Sequence, residues 1–361
     1  MTHDAVVIGA GPAGAVAARE LARRGAAVLL VDKAHFPRPK VCGCCVNGAA
    51  VKTLQRLGLG AVLAGGVPLK DVRIGAGRRS ARVKLPGGVA LSREAFDAAL
   101  VREAVAAGVE FRDGVTAKFD GGAVRINERP VDARVAIVAS GLAGNDASPE
   151  PGSRIGAGVS AQAGAVPAFF APGTVFMATA RGGYVGCVRV EDGRLDVAAA
   201  FDVAFLKGQG GPGPAAEAVL AGVGWPRIEG LAELPWKGTP ALTRRAKRLG
   251  GARWFAVGDA AGYVEPFTGE GMAWAVTSAA ALAPIAARAI QKWDDALVRE
   301  WESTHRRTIG TRQYTCRVVS RVLRSPALTT LAVRALSVLP ILSRPVVKSL
   351  NRPSPLRGAS P

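Results

Sequence analysis

Residues 4–32 read DAVVIGAGPAGAVAARELARRGAAVLLVD. The opening DAVVI is a short apolar run closed by glycine, which predicts a buried parallel strand. Gly9-Ala10-Gly11-Pro12-Ala13-Gly14 follows, then a helical stretch from about Pro12 to Arg24 that Gly25 ends. AVLLVD (27–32) reads as a second strand, so the segment is a βαβ opening with very short connections. In such a turn Gly9 permits the tight bend, Gly11 lets the main chain approach a pyrophosphate, and Gly14 lets the helix pack close to the strand. Pro12 and Ala13 sit at the helix N-terminus, where free N–H groups and partial positive charge suit a diphosphate. Asp32, with Lys33 beside it, stands at the end of the second strand to accept hydrogen bonds from ribose hydroxyls. The pattern predicts an α/β fold and an ADP-containing dinucleotide, without separating FAD from NAD.

A second Gly-rich stretch lies far downstream. Residues 254–276 read WFAVGDAAGYVEPFTGEGMAWAV. A buried strand ends in Gly258-Asp259, and a loop through Pro266 and Gly269 leads to a helix starting near Gly271 and Met272. Asp259 at the strand end suits sugar-alcohol hydroxyls. The helix N-terminus beyond it favours negative charge, as on the N1–C2=O edge of a reduced flavin. Two cradles of this kind, far apart in sequence, point to FAD. Gly75-Ala76-Gly77 lacks the third glycine, so a nicotinamide donor is expected to visit only transiently.

The 361 residues allow two domains. A content of 49% hydrophobic and 21% charged residues excludes a disordered chain, and five cysteines, an odd number, are not a disulfide framework. No signal peptide is expected ahead of the first strand, and the apolar Gly271–Ala287 stretch reads as a buried helix, so the expected location is cytoplasmic. Net charge is +19. From Ser303 onward there are 11 Arg/Lys and no Asp or Glu, interleaved with Val318, Val322, Leu328, Leu331, Leu336 and Ile341. Two readings stand for this region: a helical cap with a solvated basic face, or amphipathic helices on the anionic inner face of a membrane. Nucleic acid is not expected, because stacking aromatics are missing after Tyr314.

Together VIGAGPAG with Asp32, FPRPKVCG (36–43), LSREAFDAAL (91–100), VAIVASG (135–141) and GDAAGYVEPFTGEGMAWA (258–275) resemble the flavoprotein group of p-hydroxybenzoate hydroxylase, flavin halogenases and geranylgeranyl reductases. FPRPKVCG with EPFTGEGM is most similar to the geranylgeranyl reductase-like branch. The resemblance implies a glutathione-reductase-like FAD-binding fold, α/β and discontinuous, with a β-rich substrate domain. It implies that Arg38 or Lys40 and Arg93 lie near the FAD ribose and phosphates, that Gly258 and Asp259 bind its ribityl or pyrophosphate part, and that 266–272 flank its ring. The sequence departs from the pattern at Ser140-Gly141, where the hydroxylases carry Asp-Gly, and it lacks the halogenase W-x-W-x-I-P motif. The expected boundaries are 1–66, 90–148 and 250–295 for the FAD domain, 67–89 and 149–249 for the substrate domain, and 296–361 for a basic helical region.

Cys42-Gly43-Cys44-Cys45 has poor zinc spacing, and no metal is expected. A strained local disulfide, a place for Cys42 beside the flavin and substrate, and simple packing remain open for it. Lys40 and Arg38 are the cations that would lower a nearby thiol's pKa. Cys42, Tyr184 and Glu270 are the catalytic candidates. The expected activity is hydride exchange between flavin N5 and a carbon–carbon double bond of a lipophilic, prenyl-like substrate, with electrons from NAD(P)H or a redox protein. The alternative is an NAD(P)H- and oxygen-dependent monooxygenase acting on an aromatic or polyketide-like substrate.

Overall fold

The computed structural model describes residues 3–120, 123–143, 147–265 and 267–352. The strand His3–Ile8 is the centre of a six-stranded sheet. It pairs in parallel with Val28–Val31 on one side and Ala133–Val138 on the other. Trp254–Ala256 and Glu110–Arg112 extend the parallel order outward, and Gly250–Gly251 adds an antiparallel edge. The buried stretches of the central strands, Ala5–Ile8, Val28–Val31 and Val135–Val138, are continuous apolar runs, as burial on both faces requires.

One face is covered by the helices Pro12–Ala22, Gly48–Arg56, Arg93–Ala106 and Gly271–Gln291. Alanine on Pro12–Ala22 and on Gly271–Gln291 lets these two helices pack tightly against each other. By length and composition Gly271–Gln291 is apolar enough to cross a membrane, yet most of it is buried in this core. The opposite face carries a small antiparallel sheet of 117–120, 123–126 and 129–131, whose Val124 and Ile126 pack on Val6, Ile8 and Leu29.

The second large sheet has seven strands, in the order 237–241, 155–161, 195–201, 183–189, 174–180, 71–76 and 79–84. Asp192-Gly193 forms the expected hairpin turn, with Gly193 at φ 81°. Gly77, at φ 55°, turns the 71–76/79–84 hairpin. Period-two alternation gives this sheet two unlike faces. Val185, Val197, Phe201 and Phe176 point to an aromatic core with Phe170, Trp225 and the helix Pro212–Gly222. The opposite face bears Gly156, Gly186, Ala198 and Ala200, together with Met177 and Tyr184, and it borders a cavity.

The C-terminal region is helical at Ala296–His305, Thr311–Leu323, Pro326–Val338 and Arg344–Asn351. It lies on the body of the protein, with Arg317 paired to Glu150 at 2.7 Å and Arg324 donating to the Gly152 carbonyl at 2.8 Å. Pro326–Val338 packs on the 71–76 and 79–84 strands, and the chain bends by 119° before the last helix.

Candidate functional site

A cavity of about 1140 Å³ runs between the two large sheets. One end is polar and bordered by Gly9, Gly11, Asp32, Arg38, Arg93 and Asp259. The other is apolar and bordered by Val72, Met177, Tyr184, Val322, Leu336 and Leu350.

The polar end is shaped by main chain. Gly9 has φ 103°, and a Cβ there would lie 2.4 Å from the Ala139 carbonyl oxygen. A Cβ on Gly14 would lie 1.7 Å from the Gly9 oxygen. Gly11 differs, because its Cβ would meet only the Nη2 atoms of Arg38 and Arg93 at 3.8 Å, across the cradle. Pro12–Ala22 has neither a side-chain cap nor an acid in its first turn, so its N-terminal N–H groups face the cavity unpaired by side chains. Pro12 and Ala13 line this wall, and Lys33 stands exposed at its rim.

Asp32 does more than the sequence reading assigned it. Oδ2 accepts from Ala10 N at 2.9 Å and Oδ1 from Ala34 N at 3.0 Å, so the carboxylate also fixes the Gly-rich turn. Arg38 lies 3.4 Å from Asp32 and 3.6 Å from Asp97. Arg93 is held by Asp97 in a two-pronged contact of 2.8 and 2.7 Å. Asp97 was not singled out from sequence, although its i, i+4 spacing from Arg93 on one helix is the signal that would have found it.

Lys40 borders the same end, where the cavity walls remove bulk water and push its ammonium below the usual lysine range, with Arg93 adding to the effect. Enclosure raises the Asp259 carboxyl, against the pull of Lys40 and Arg93. Gly258, at φ 61°, donates its N–H to Ser278 Oγ at 3.1 Å, and its Cβ would lie 2.8 Å from that of Ala13, so the two Gly-rich turns touch.

This end fits the ADP part of FAD on three grounds. Gly11 leaves space over the cradle that a side chain would fill, a helix N-terminus lacks an acidic partner, and the Arg38 Nε and Ser140 Oγ atoms are buried without partners among the described residues. Gly269, Gly271 and Met272 border the middle of the cavity, where the helix Gly271–Gln291 begins without a side-chain cap. Pro266 lies outside the described residues.

Glu270 does not face the cavity. It is fully buried and receives Asn47 Nδ2 at 2.6 Å and Trp274 Nε1 at 3.1 Å, with Arg312 at 3.5 Å. Burial lifts its carboxyl to about 7 against these three partners. Its contacts make it a brace between the 271–291 helix and the C-terminal region, which corrects its selection as a catalytic candidate.

Tyr184 borders the apolar end with its Oη unpartnered among the described residues and its ring edge-on to Phe267 at 5.1 Å. Burial, then Glu265, holds its phenol well above the ordinary range, so it stays protonated. Cys42 and Cys45 line the cavity wall, and Cys44 is buried behind them. No disulfide joins the described cysteines. The Cys42 thiol is drawn down to about 6, first by the hydrogen bond from Cys44 and then by Arg93, against burial. The cation at the thiol is thus Arg93, which the fold brings over from another helix, rather than the chain neighbours Arg38 and Lys40.

The apolar wall from the C-terminal helices was also unforeseen. Val319, Val322, Leu336, Val347 and Leu350 border the cavity, whereas Leu331 and Val338 on the same helices, and Leu339 and Ile341 between them, are exposed. Part of this region therefore closes the apolar end of the cavity. A helical period cannot tell a cavity-facing leucine from an exposed one when both faces are apolar.

Comparison with known proteins agrees with this geometry. Residues 2–145 match the family model of an FAD binding domain. The menaquinone reductase of Mycobacterium tuberculosis is 44% identical over 84 residues, covering 23% of this chain and 21% of the relative. That of Mycolicibacterium smegmatis is 55% identical over 56 residues, covering 16% and 14%. The matched stretch is thus about a fifth or less of the length of these curated relatives. Among solved structures, the flavin-dependent brominase Bmp2 superposes with a TM-score of 0.79 at 17% identity, over 97% of this chain and 94% of that one. A flavoprotein/dehydrogenase from Cytophaga hutchinsonii gives 0.72 at 18%, over 96% of both chains. At such identities the likeness is one of fold.

Proposed function

We propose that this chain, an FAD-binding flavoprotein whose residues 2–145 match the model of an FAD binding domain, reduces a carbon–carbon double bond in a lipophilic small molecule. The single observation that carries the reading is the apolar end of the cavity. Its floor is a sheet face cleared by Gly156, Gly186, Ala198 and Ala200, and its roof is a set of aliphatic side chains from the C-terminal helices. An elongated apolar molecule suits such a space, since fully burying one aliphatic side chain's worth of surface stabilises by roughly 1.5–3 kcal/mol. The match to menaquinone reductases, though confined to a fifth of their length, supports a reductase over the other chemistries of this fold.

Bound FAD supplies two-electron hydride chemistry. The chain's own residues bind and orient. The turn at 9–14, Asp32, Arg38 and Arg93 would hold the adenosine and phosphate part, and Asp259 with Lys40 the sugar-alcohol part. The N-terminus of the 271–291 helix would stabilise negative charge on the ring. Tyr184 keeps its proton, with its hydroxyl buried and its ring part of the apolar wall. Residues 1–66, 90–148 and 250–295 serve the cofactor in this reading, and 67–89 with 149–249 serve the substrate.

The same reading gives the C-terminal region a second face. Exposed Leu328, Leu331, Val338, Ile341 and Leu342 stand among exposed Arg334, Arg344 and Lys348, with no acid after Ser303. An anionic membrane surface complements that mixture, at about 1 kcal/mol per basic residue near the surface. Co-sedimentation with phosphatidylglycerol vesicles is the expected outcome, and it should vanish with neutral vesicles.

The activity test is anaerobic. With chemically reduced FAD-loaded protein and a prenylated quinone, the expected product, once its ring has been reoxidised to the quinone, still carries two extra hydrogen atoms in its prenyl chain. A product that forms only with oxygen and carries an added oxygen atom would replace the reductase reading by a monooxygenase.

A further inference from the structure

We propose that the apolar end of the cavity opens onto the face that rests on an anionic phospholipid bilayer, and that the lipophilic substrate enters from the lipid through the gap beside the bend at 340–343. The inference rests on the apolar-cavity and membrane-surface readings above and adds the route that joins them.

The mouth shows in residues that face both ways. Val318, Leu342 and Val346 border the cavity, yet they are 42%, 53% and 44% exposed. They come from three different elements, Thr311–Leu323, Pro340–Ser343 and Arg344–Asn351, so the helices that close the apolar end leave a gap where these elements meet. The cavity also reaches the surface past Lys33 and Gly43, and past Lys237 and Gly238. Among the described residues no exposed large apolar side chain borders either of those openings.

The surface around the mouth is unlike the rest of the protein. Among the described residues, every exposed large apolar side chain except Val105 and Val203 lies between Tyr314 and Val346. Helical period explains the two faces of Pro326–Val338. Thr329, Val333 and Leu336 turn toward the protein, with Val333 packed on Ala76 and Ala81, whereas Leu331, Arg334 and Val338 form the opposite, exposed stripe. Arg334, Arg344 and Lys348 are exposed without ion-pair partners among the described residues, and no acid follows Ser303. Pro326–Val338 and 340–351 together are apolar enough to cross a membrane, but the 119° bend between them denies a straight span. A bent, apolar pair of helices with only basic charges suits the headgroup boundary of an anionic bilayer, where the aliphatic side chains sink and the cations stay with the phosphates.

The last helix fixes where the mouth lies. Asn351 Oδ1 accepts from Gly48 N at 3.1 Å, and Leu350 is buried in one cluster with Met177 and Tyr184, so the far end of the helix is tied to the body. Leu342 and Val346 stand at its near end, by the bend and among the exposed apolar side chains. A prenyl chain entering there keeps apolar surroundings from bilayer to cavity and is spared the cost of exposing each methylene to water.

The test uses the full FAD-loaded chain and a diazirine-bearing prenylated quinone dissolved in vesicles, with photolabelling and peptide mass mapping. Labelling needs no turnover, so its outcome is separate from that of the reduction assay. From phosphatidylglycerol vesicles the expected adducts fall within 318–350 and form roughly tenfold faster, or more, than from phosphatidylcholine vesicles. This comparison needs no variant, so a misfolded variant does not spoil it. Val346→Trp narrows the mouth with a side chain at home in the interface. It should still co-sediment with phosphatidylglycerol vesicles while its labelling falls roughly tenfold. Arg334→Glu combined with Arg344→Glu should lose both sedimentation and labelling from vesicles, yet label like the parent from detergent micelles. Failure of the unaltered protein to bind phosphatidylglycerol vesicles would overturn the membrane reading and this route together. Binding accompanied by adducts at 33–43 or 237–240 instead, by equal labelling from phosphatidylcholine, or by unslowed labelling of Val346→Trp would overturn the route alone and leave the reductase reading standing.

Discussion

The two ends of the cavity are built by different means. At the polar end the shape comes from main chain, with Gly9, Gly14 and Gly258 in positions where a single added carbon meets backbone or a neighbouring helix at 2.8 Å or less. At the apolar end the shape comes from side chains, on a sheet face of small residues and on helices from the last part of the chain. The first construction tolerates almost no change and serves one ligand. The second can be recut by substituting a valine or a leucine, which is how a shared fold can host brominases, dehydrogenases and other flavoproteins.

The contrast is broken most severely at Gly14. Gly14→Ala places a carbon 1.7 Å from the Gly9 oxygen, and we expect a loss of at least ~2 kcal/mol of stability together with loss of the yellow chromophore. Thermal melting and absorbance spectra check both. Gly11→Val tests the other half of the distinction. A Cβ at Gly11 meets nothing closer than 3.8 Å, so folding should survive while FAD retention is lost.

A smaller effect is expected at the apolar end. Leu350→Ala should leave FAD bound and raise KM for an apolar substrate by about tenfold, as the removed contact is worth roughly 1.5–3 kcal/mol at most. Steady-state kinetics with equal chromophore loading would show it, and a loss of FAD instead would mean that the two ends are not separable.

Acid stability sharpens the comparison within the C-terminal region. His305 is buried against Trp301, and burial lowers its pKa to about 4. The unfolded chain, with an ordinary histidine near 6.5, binds the proton first. Stability contributed by neutral His305 is therefore present above about pH 6.5 and is lost as pH falls toward 4, by up to ~3 kcal/mol. His305→Gln should flatten that part of the melting-temperature profile. The mildest change is Arg317→Ala, which removes a partly exposed pair with Glu150 and should cost no more than ~1 kcal/mol in chemical denaturation.

What was legible in the sequence follows the same division. Strand, turn and helix at 4–32 and the Gly-Asp turn at 258 were readable because glycines forced by main-chain geometry leave a mark at fixed spacing. The long 271–291 helix and the Asp192-Gly193 hairpin were readable for the same kind of local reason. Arg93 as the partner of Cys42 was not, since the contact joins residues half a hundred positions apart. Glu270 was a catalytic candidate in the sequence, and only the fold shows Asn47, Trp274 and Arg312 surrounding it. The apolar roof was missed because Val318 to Leu350 carry aliphatic residues on more than one face, and pattern alone does not say which face is covered.

The central claim is that both Gly-rich turns grip one FAD molecule, and the most direct measurement is chromophore release from the purified full chain. Denaturation should free FAD at close to one per chain, and Asp259→Ala should yield folded protein that neither carries nor takes up the chromophore. Folded unaltered protein that binds no FAD, or an Asp259→Ala variant that holds it as tightly as the parent, would contradict the account.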